Sequence, residues 1–312
     1  MLITVLAGGV GGARFLQGLK AAYPEADITV IGNTADDIWL HGLKVCPDLD
    51  TVMYTLGGGI DPVNGWGREA DTYSVLEELK AYGVQPLWFT LGDKDIATHL
   101  VRTQLLNADF PLSEVTAALC QRWQPGVTLL PMTDNRVETH VVIDAETPYA
   151  MHFQQWWVEH RAQLPALAFR YVGIDEATPG PGVLEAIAQA DVIVLPPSNP
   201  VVSIGPILAV PGIRDAVRRT SAPVVGVSGI INGRPVKGMA DACLRAIGVQ
   251  TSSEAVAAHY GSRADSGILD AWVFQTGDPD PAGIRTTLAT QTLMTDDAAA
   301  AELARVTVGL VL

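Results

Sequence analysis

The run Leu2-Ile3-Thr4-Val5-Leu6-Ala7 goes straight into Gly8-Gly9-Val10-Gly11-Gly12. A short apolar run ending in glycines reads as a buried parallel strand. The glycines read as a tight turn whose backbone N–H groups can approach a phosphate. Ala13–Ala22 then carries Phe15, Leu16 and Leu19 at helical spacing, and Asp27–Ile31 is a second strand. Strand, turn, helix, strand is a βαβ unit, which commits the chain to a parallel sheet covered by helices. Ligands of such sheets collect beyond the carboxyl ends of the strands. The glycines and the run Asn33-Thr34-Ala35-Asp36-Asp37 both fall there.

Further along, Thr51–Leu56 reads as a helical turn or two, Thr72–Ala81 as a helix and Leu87–Thr90 as a strand. Asp95–Leu106 and Ser113–Trp123 read as helices, the second with Ser113 as N-cap. Val127–Met132, Glu138–Asp144 and Tyr149–Phe153 read as strands, and here the β/α alternation breaks. It returns with the helix Val183–Ala190 and the strand Val192–Leu195, then the helix Gly212–Arg219 and the strand Val224–Val227. The expected fold class is α/β: a Rossmann-like, mostly parallel sheet flanked by helices, with an inserted α+β subdomain in the middle. The expected ranges are a core first part at 1–109, an insert at 110–180 and a core second part at 181–312.

The chain has 312 residues, 48% of them hydrophobic, which is ample for a full core. Its formal charge of -14 makes nucleic acid and anionic membrane surfaces poor partners, since both call for Lys/Arg-rich faces. An anionic substrate must therefore be met locally, by a metal ion, helix N-termini or a few basic side chains. Cys46, Cys120 and Cys243 lie far apart without metal-ligand spacing, and no secretory signal or membrane span is visible. The expected location is cytoplasmic.

The chemistry-bearing residues cluster early. Asp36, Asp37, Asp48, Asp50 and Asp61 are dense in acid for a segment so rich in glycine and apolar residues. Singly, each suits a turn or a cap. Together, beside a phosphate turn, they would repel the phosphate unless a divalent cation bridges them, and they favour oxygen ligation of Mg²⁺. Asp48 and Asp50 alternate, so on an extended segment both would face one way. Lys94, in Asp93-Lys94-Asp95, suits a phosphate or a pairing with its flanking acids. His99 lies four residues after Asp95, within reach of an i,i+4 pair. Ser198 and Asn199 end a late strand and offer a hydroxyl, an amide and free N–H groups to a nucleobase or phosphate. Phe153, Trp156 and Trp157 suit core packing or a wall for a flat ring. No Ser/His/Asp set, HExxH or P-loop lysine is present, so covalent catalysis is not indicated.

In order along the chain, Ala7–Arg14, Asn33–Asp37, Pro47–Tyr54, Gly92–His99, Leu130–Met132, Met151–Gln154, Pro197–Pro206 and Lys237–Asp241 resemble the 2-phospho-L-lactate transferase family of coenzyme F420 biosynthesis, most closely its actinobacterial, phosphoenolpyruvate-using branch. The resemblance implies a Mg²⁺-dependent transferase. It would move a phosphoenolpyruvyl or 2-phospholactyl group from a guanosine diphosphate ester to the terminal ribityl hydroxyl of the deazaflavin Fo, with GMP leaving. The products would be dehydro-F420-0 or F420-0. On this reading Asp48, Asp50 and Asp61 hold the metal, and Asp50, Asp61 and Lys94 serve catalysis. Gly8, Gly9, Gly11, Gly12, Asn33, Thr34, Asp37, Asp50, Lys94, Ser198 and Asn199 bind the ligands. The insert forms the acceptor side, and the family implies a homodimer. Lys94 stands where most of the family has Arg, so it brings charge without a bidentate fork. Ser228-Gly229-Ile230 departs from the Ser-Pro-Ile-Ile expected at that loop.

The runner-up is a non-enzymatic nucleotide-sugar-binding regulator of the gluconeogenesis-factor type. Such proteins share the glycine turn, the Asn/Asp loop and the Pro-Ser-Asn block. Here Asp37 continues into Ile38-Trp39 and then the Asp48/Asp50 pair, which favours the enzyme. A NAD-dependent dehydrogenase ranks third, because Gly32-Asn33 stands where a ribose-binding acid belongs.

Overall fold

Seven parallel strands form the spine of the protein in a computed structural model, which describes residues 1–312. In chain order they are β1 (Leu2–Ala7), β2 (Asp27–Gly32), β3 (Thr128–Pro131), β4 (Val192–Leu195), β5 (Val224–Val227), β6 (Ala271–Gln275) and β7 (Thr286–Thr290). Across the sheet the order is β7-β6-β5-β4-β1-β2-β3, and every pairing is parallel.

The central strands are apolar and rich in β-branched residues because both faces are covered, whereas the edge strand β7 is threonine-rich and half-buried. Alternate residues feed opposite cores. Val192 and Val194 face one layer with Ile3, Val5, Val30 and Val225, whereas Ile193 and Leu195 face the other with Leu6, Ile31 and Val224. The first layer is covered by α1 (Gly9–Ala22) and α2 (Pro47–Leu56), with the helices Leu112–Trp123 and Asp297–Gly309 beside them. Gly18 lets α1 lie directly on the backbone of Ala300 in the C-terminal helix, where a Cβ would collide. On the second layer lie the helices Val183–Gln189, Ile204–Ala209, Ile213–Arg219, Ala240–Ala246 and Ser253–Tyr260.

A three-stranded antiparallel sheet also packs on that second layer, with Glu138–Ile143 between Tyr149–His152 and Ala166–Val172. Its Val141 and Phe169, together with Trp156, join the same core. Strand β3 falls inside the range expected for the insert, yet it forms the edge of the main sheet beside β2. The departure from the parallel sheet therefore begins after it.

Several local expectations change. The glycine run is not a turn before a helix: α1 begins at Gly9, so Gly9, Gly11 and Gly12 are its first turn. α2 begins at Pro47, whose preset φ suits the first helical position, so Asp48 and Asp50 sit on a helix and not on an extended segment. Successive alternate residues on a helix point to nearly opposite sides. Leu87–Thr90 has no strand partner and stays irregular. Ser113 is not the cap, because Pro111 takes that position and Ser113 binds Asp134 through its N–H at 2.7 Å and its hydroxyl at 2.8 Å. No helix is long and apolar enough to cross a membrane.

Candidate active site

β1 and β4 are neighbours, and the chain leaves them toward opposite edges of the sheet. That makes their carboxyl ends a topological switch point, where ligands of open α/β sheets bind. A cavity of about 930 Å³ opens there. Gly8, Gly9 and Gly11 line it from the β1 side, and Pro197, Ser198 and Asn199 from the β4 side.

The glycines bring three segments into contact. Gly8 N–H donates to Ser198 Oγ at 3.3 Å, and that hydroxyl donates to Gly8 O at 2.7 Å. Gly9, at φ 69°, donates its N–H to Asp48 Oδ1 at 2.8 Å. A Cβ at Gly8 would collide with Asp48 Oδ2, and one at Gly11 with Pro197 O. The helix N-terminus thus already holds an anion, the carboxylate of Asp48. Asn33 Nδ2 donates to Asp48 Oδ2 at 2.9 Å and to Val202 O at 3.0 Å. Burial pushes the Asp48 carboxyl up to about 6, with the Asn33 amide and the Gly9 N–H restraining the rise. Asp36 lines the same cavity with Oδ1 buried and unpartnered. Burial and then the Asp48 charge push its carboxyl well above the usual range.

Asp50 belongs to a different network on the other side of α2. Arg102 Nη2 donates to Asp50 Oδ1, and Arg102 Nη1 donates to His99 Nδ1 at 3.0 Å and to Lys44 O at 3.3 Å. His99 Nε2 lies 3.4 Å from Asp95 Oδ2, and Tyr54 donates its hydroxyl to Asp95 Oδ1 at 2.7 Å. Burial opposes ionisation of Asp95, but His99 and Tyr54 outweigh it and hold the carboxyl below its ordinary value. Asp50, Asp95, His99 and Tyr54 all line the cavity, while Arg102 is buried behind them.

The other residues expected in the site lie elsewhere. Asp61 is half-buried, accepts from Val63 N–H at 2.8 Å and Asn64 Nδ2 at 2.9 Å, and lines a small hollow that adjoins the cavity at Trp66, Gly67, Thr90 and Asp95 but does not line the cavity itself. Lys94 Nζ donates to the carbonyls of Glu69 at 2.9 Å and Ala70 at 2.6 Å, away from the cavity. Asp37 is buried against Lys44 Nζ at 3.2 Å and accepts from Cys46 Sγ at 3.0 Å. Asn33 acts through Asp48, Gly12 packs on Ser198 Oγ, and Thr34 is buried, so none of the three lines the cavity.

Asp48, Asp50 and Asp61 therefore do not converge, and no three His, Cys, Asp or Glu side chains form a metal-holding group. Mg²⁺ commonly takes one or two protein carboxylates and completes its shell with substrate oxygens and water. Asp48 and Asp50 suit that mode: both line the cavity, and Asp50 Oδ2 is a buried acceptor with no donor.

Positive charge comes from Arg14, Arg161 and Lys237, all on the cavity wall. The aromatic trio divides. Trp156 is core, edge-on to Phe169 at 5.7 Å, while Phe153 and Trp157, edge-on to each other at 5.4 Å, face the cavity. Sequence reasoning passed over Arg102, although a signal existed. Asp95, His99 and Arg102 recur at i, i+4 and i+7, the spacing that normally carries the apolar stripe of a buried helix face.

A family model described as 2-phospho-L-lactate transferase CofD matches residues 3–309. A phosphoenolpyruvate transferase of Streptomyces griseus is 61% identical over 98% of this chain and 96% of its own length. One from Thermobifida fusca is 62% identical over 90% of this chain and 88% of its own. A solved structure of a UPF0052 family member from Bacillus halodurans superposes with a TM-score of 0.62 at 19% identity, over 98% of both chains, a likeness of fold. The chain belongs to the CofD family. It is accordingly an enzyme, a transferase of phosphate-linked groups, and the regulator and dehydrogenase readings fall away.

Proposed function

We propose that this CofD-family enzyme moves a phosphoenolpyruvyl group from a guanosine diphosphate ester to the terminal ribityl hydroxyl of the deazaflavin Fo. The relatives at 55–62% identity, all named phosphoenolpyruvate transferases, favour enolpyruvate over lactate as the acid carried. The observation that carries the reading is one cavity, about 930 Å³, combining a glycine helix N-terminus, a buried ion-paired carboxylate and an aromatic wall. Its volume sits at the upper end for small-molecule sites and accommodates two ligands side by side.

In this reading the nucleotide lies over the Gly8–Gly11 end of α1 and the Ser198-Asn199 loop. The first-turn N–H groups beyond Gly9 meet the diphosphate, and Arg14 and Lys237 add charge. The deazaflavin ring lies against Trp157 and Phe153. The ribityl hydroxyl gives its proton to water as its oxygen bonds to the phosphorus bearing the enolpyruvyl group. The bond from that phosphorus to the GMP oxygen breaks, and GMP leaves with the electron pair. Alignment and charge neutralisation supply most of the acceleration in such displacements. Mg²⁺, held by Asp48 and Asp50, would supply neutralising charge at the diphosphate. The same reading carries a cytoplasmic homodimer, which light scattering on the purified protein tests for assembly.

The deciding experiment is mass spectrometry after incubation with Fo, Mg²⁺ and each guanosine donor in turn. The expected product is Fo plus the phosphoenolpyruvyl mass, with GMP released in equal amount. Unchanged Fo with every donor would refute the proposal.

A further inference from the structure

We propose that Arg161 forms the carboxylate subsite of the cavity, holding the three-carbon acid of the donor from the acceptor side while the phosphorus changes partners. The inference rests on the proposed transfer and names the residue that recognises the transferred group.

Of the Arg and Lys side chains on the cavity wall, Arg14 and Lys237 are already engaged. Arg14 Nη1 lies 2.6 Å from Asp297 Oδ1 and donates to Gln17 Oε1 at 2.8 Å. Lys237 Nζ donates to Asn64 O at 2.6 Å. The Arg161 side chain makes no hydrogen bond or ion pair with the protein, and the nearest acid along the chain, Glu159, instead accepts from Gln155 Nε2 at 2.8 Å.

The backbone is arranged to put Arg161 there. Gln155–Glu159 is a single π-helical turn, a geometry frequent at functional sites. Arg161 and Ala162 then take φ of 52° and 54°, left-handed conformations that residues with a Cβ avoid. Such conformations are costly and persist only where the surroundings enforce them. Buried Trp156 does so from both ends: its carbonyl accepts the Ala162 N–H at 2.9 Å, and its indole Nε1 donates to Leu164 O at 2.8 Å. The same segment sets Trp157, Val158 and Arg161 on the cavity wall.

A guanidinium fork meets a carboxylate through two parallel hydrogen bonds. The donor presents one carboxylate, on the acid, besides its diphosphate. With Arg14 and Lys237 serving the diphosphate, Arg161 is the cation left for the acid. It follows Trp157 on the wall that takes the deazaflavin ring. A cation on that side keeps hold of the carboxylate through the transfer, because the acid stays on its phosphorus when GMP departs. The bound ring also keeps water from the pair, which strengthens it.

Calorimetric binding with Mg²⁺ but without Fo tests this, and Arg161 is exposed, so its variants disturb no core packing. Arg161→Gln should weaken binding of the guanosine diphosphate enolpyruvyl ester by about 10- to 100-fold and leave GDP, which lacks the acid, bound as in the parent. Arg161→Gly should lose ester affinity to the same extent. It should also unfold at the same or a higher urea concentration than the parent, because glycine takes the left-handed backbone without strain. Equal loss of ester and GDP affinity would put Arg161 on the diphosphate and overturn the inference. So would parent-like binding of both ligands, with or without a raised KM for Fo. Parent enzyme that moves nothing from any donor to Fo would remove the functional reading and this inference with it, an outcome distinct from an active parent whose variants bind the ester normally.

Discussion

Asp48 places its carboxylate against the start of the glycine helix, its Oδ1 accepting the Gly9 N–H at 2.8 Å. Its other oxygen fills the space that a side chain at Gly8 would need. The helix end that reads in sequence as a phosphate cradle is therefore partly occupied by the protein's own acid. A second anion brought there needs added positive charge, which is the electrostatic setting for a bridging cation.

Chelation should consequently stop turnover. After treatment with EDTA and desalting, transfer to Fo should fall to background and return on addition of Mg²⁺ or Mn²⁺. Undiminished initial rates in the chelated enzyme would contradict a metal held by Asp48 and Asp50.

Gly11 carries no side chain because Pro197 O occupies its place. Gly11→Ala should push α1 away from the β4 loop, lower stability by about 1–3 kcal/mol in urea unfolding and weaken nucleotide binding. Gly309→Ala, in open space within the C-terminal helix, is the control and should be neutral or slightly stabilising. Equal unfolding midpoints for the two variants would count against the close approach.

Asp50→Asn should abolish transfer and also weaken the fold. The charge partner of fully buried Arg102 disappears, and breaking a buried pair typically costs about 3–5 kcal/mol. Denaturant unfolding measures the loss, and a variant as stable as its parent would mean that Arg102 is satisfied without Asp50.

Lys94 binds two main-chain carbonyls outside the cavity. Lys94→Met should leave kcat and both KM values close to those of the parent and cost about 1 kcal/mol or less in stability. A large loss of kcat would bring Lys94 back to the reaction.

His152 should make stability depend on pH. Burial lowers its pKa from 6.5 to about 4, against the pull of the Asp37 carbonyl and Glu138 and with help from His140 and Lys44. Between those values the unfolded chain binds a proton that the folded chain refuses. The contribution is therefore complete above about pH 6.5 and declines as pH falls toward 4, by up to about 1.4 kcal/mol per unit. His152→Gln should lose less stability than the parent between pH 6.5 and 4.5 in paired urea titrations. Asp36 and Asp48 titrate in both proteins and cancel in the comparison. Parallel curves would show that His152 is protonated in the fold.

Local pattern alone determined the βαβ opening, the apolar strands, the return of alternation after residue 180 and the family, because these follow from short-range periodicity and ordered motif blocks. It also picked out Gly8, Asp48, Asp50 and Ser198, which the structure brings to the wall of one cavity. It mistook the helix starts at Gly9 and Pro47, where a glycine run and a proline conceal helix that packing supports. Tertiary structure alone decided which acids meet. Asp61 sits apart, Lys94 turns to the surface, and Asp50 joins Arg102 across 52 positions of chain. The physical reason is that strand order and packing set where distant side chains converge, and no local period encodes that convergence.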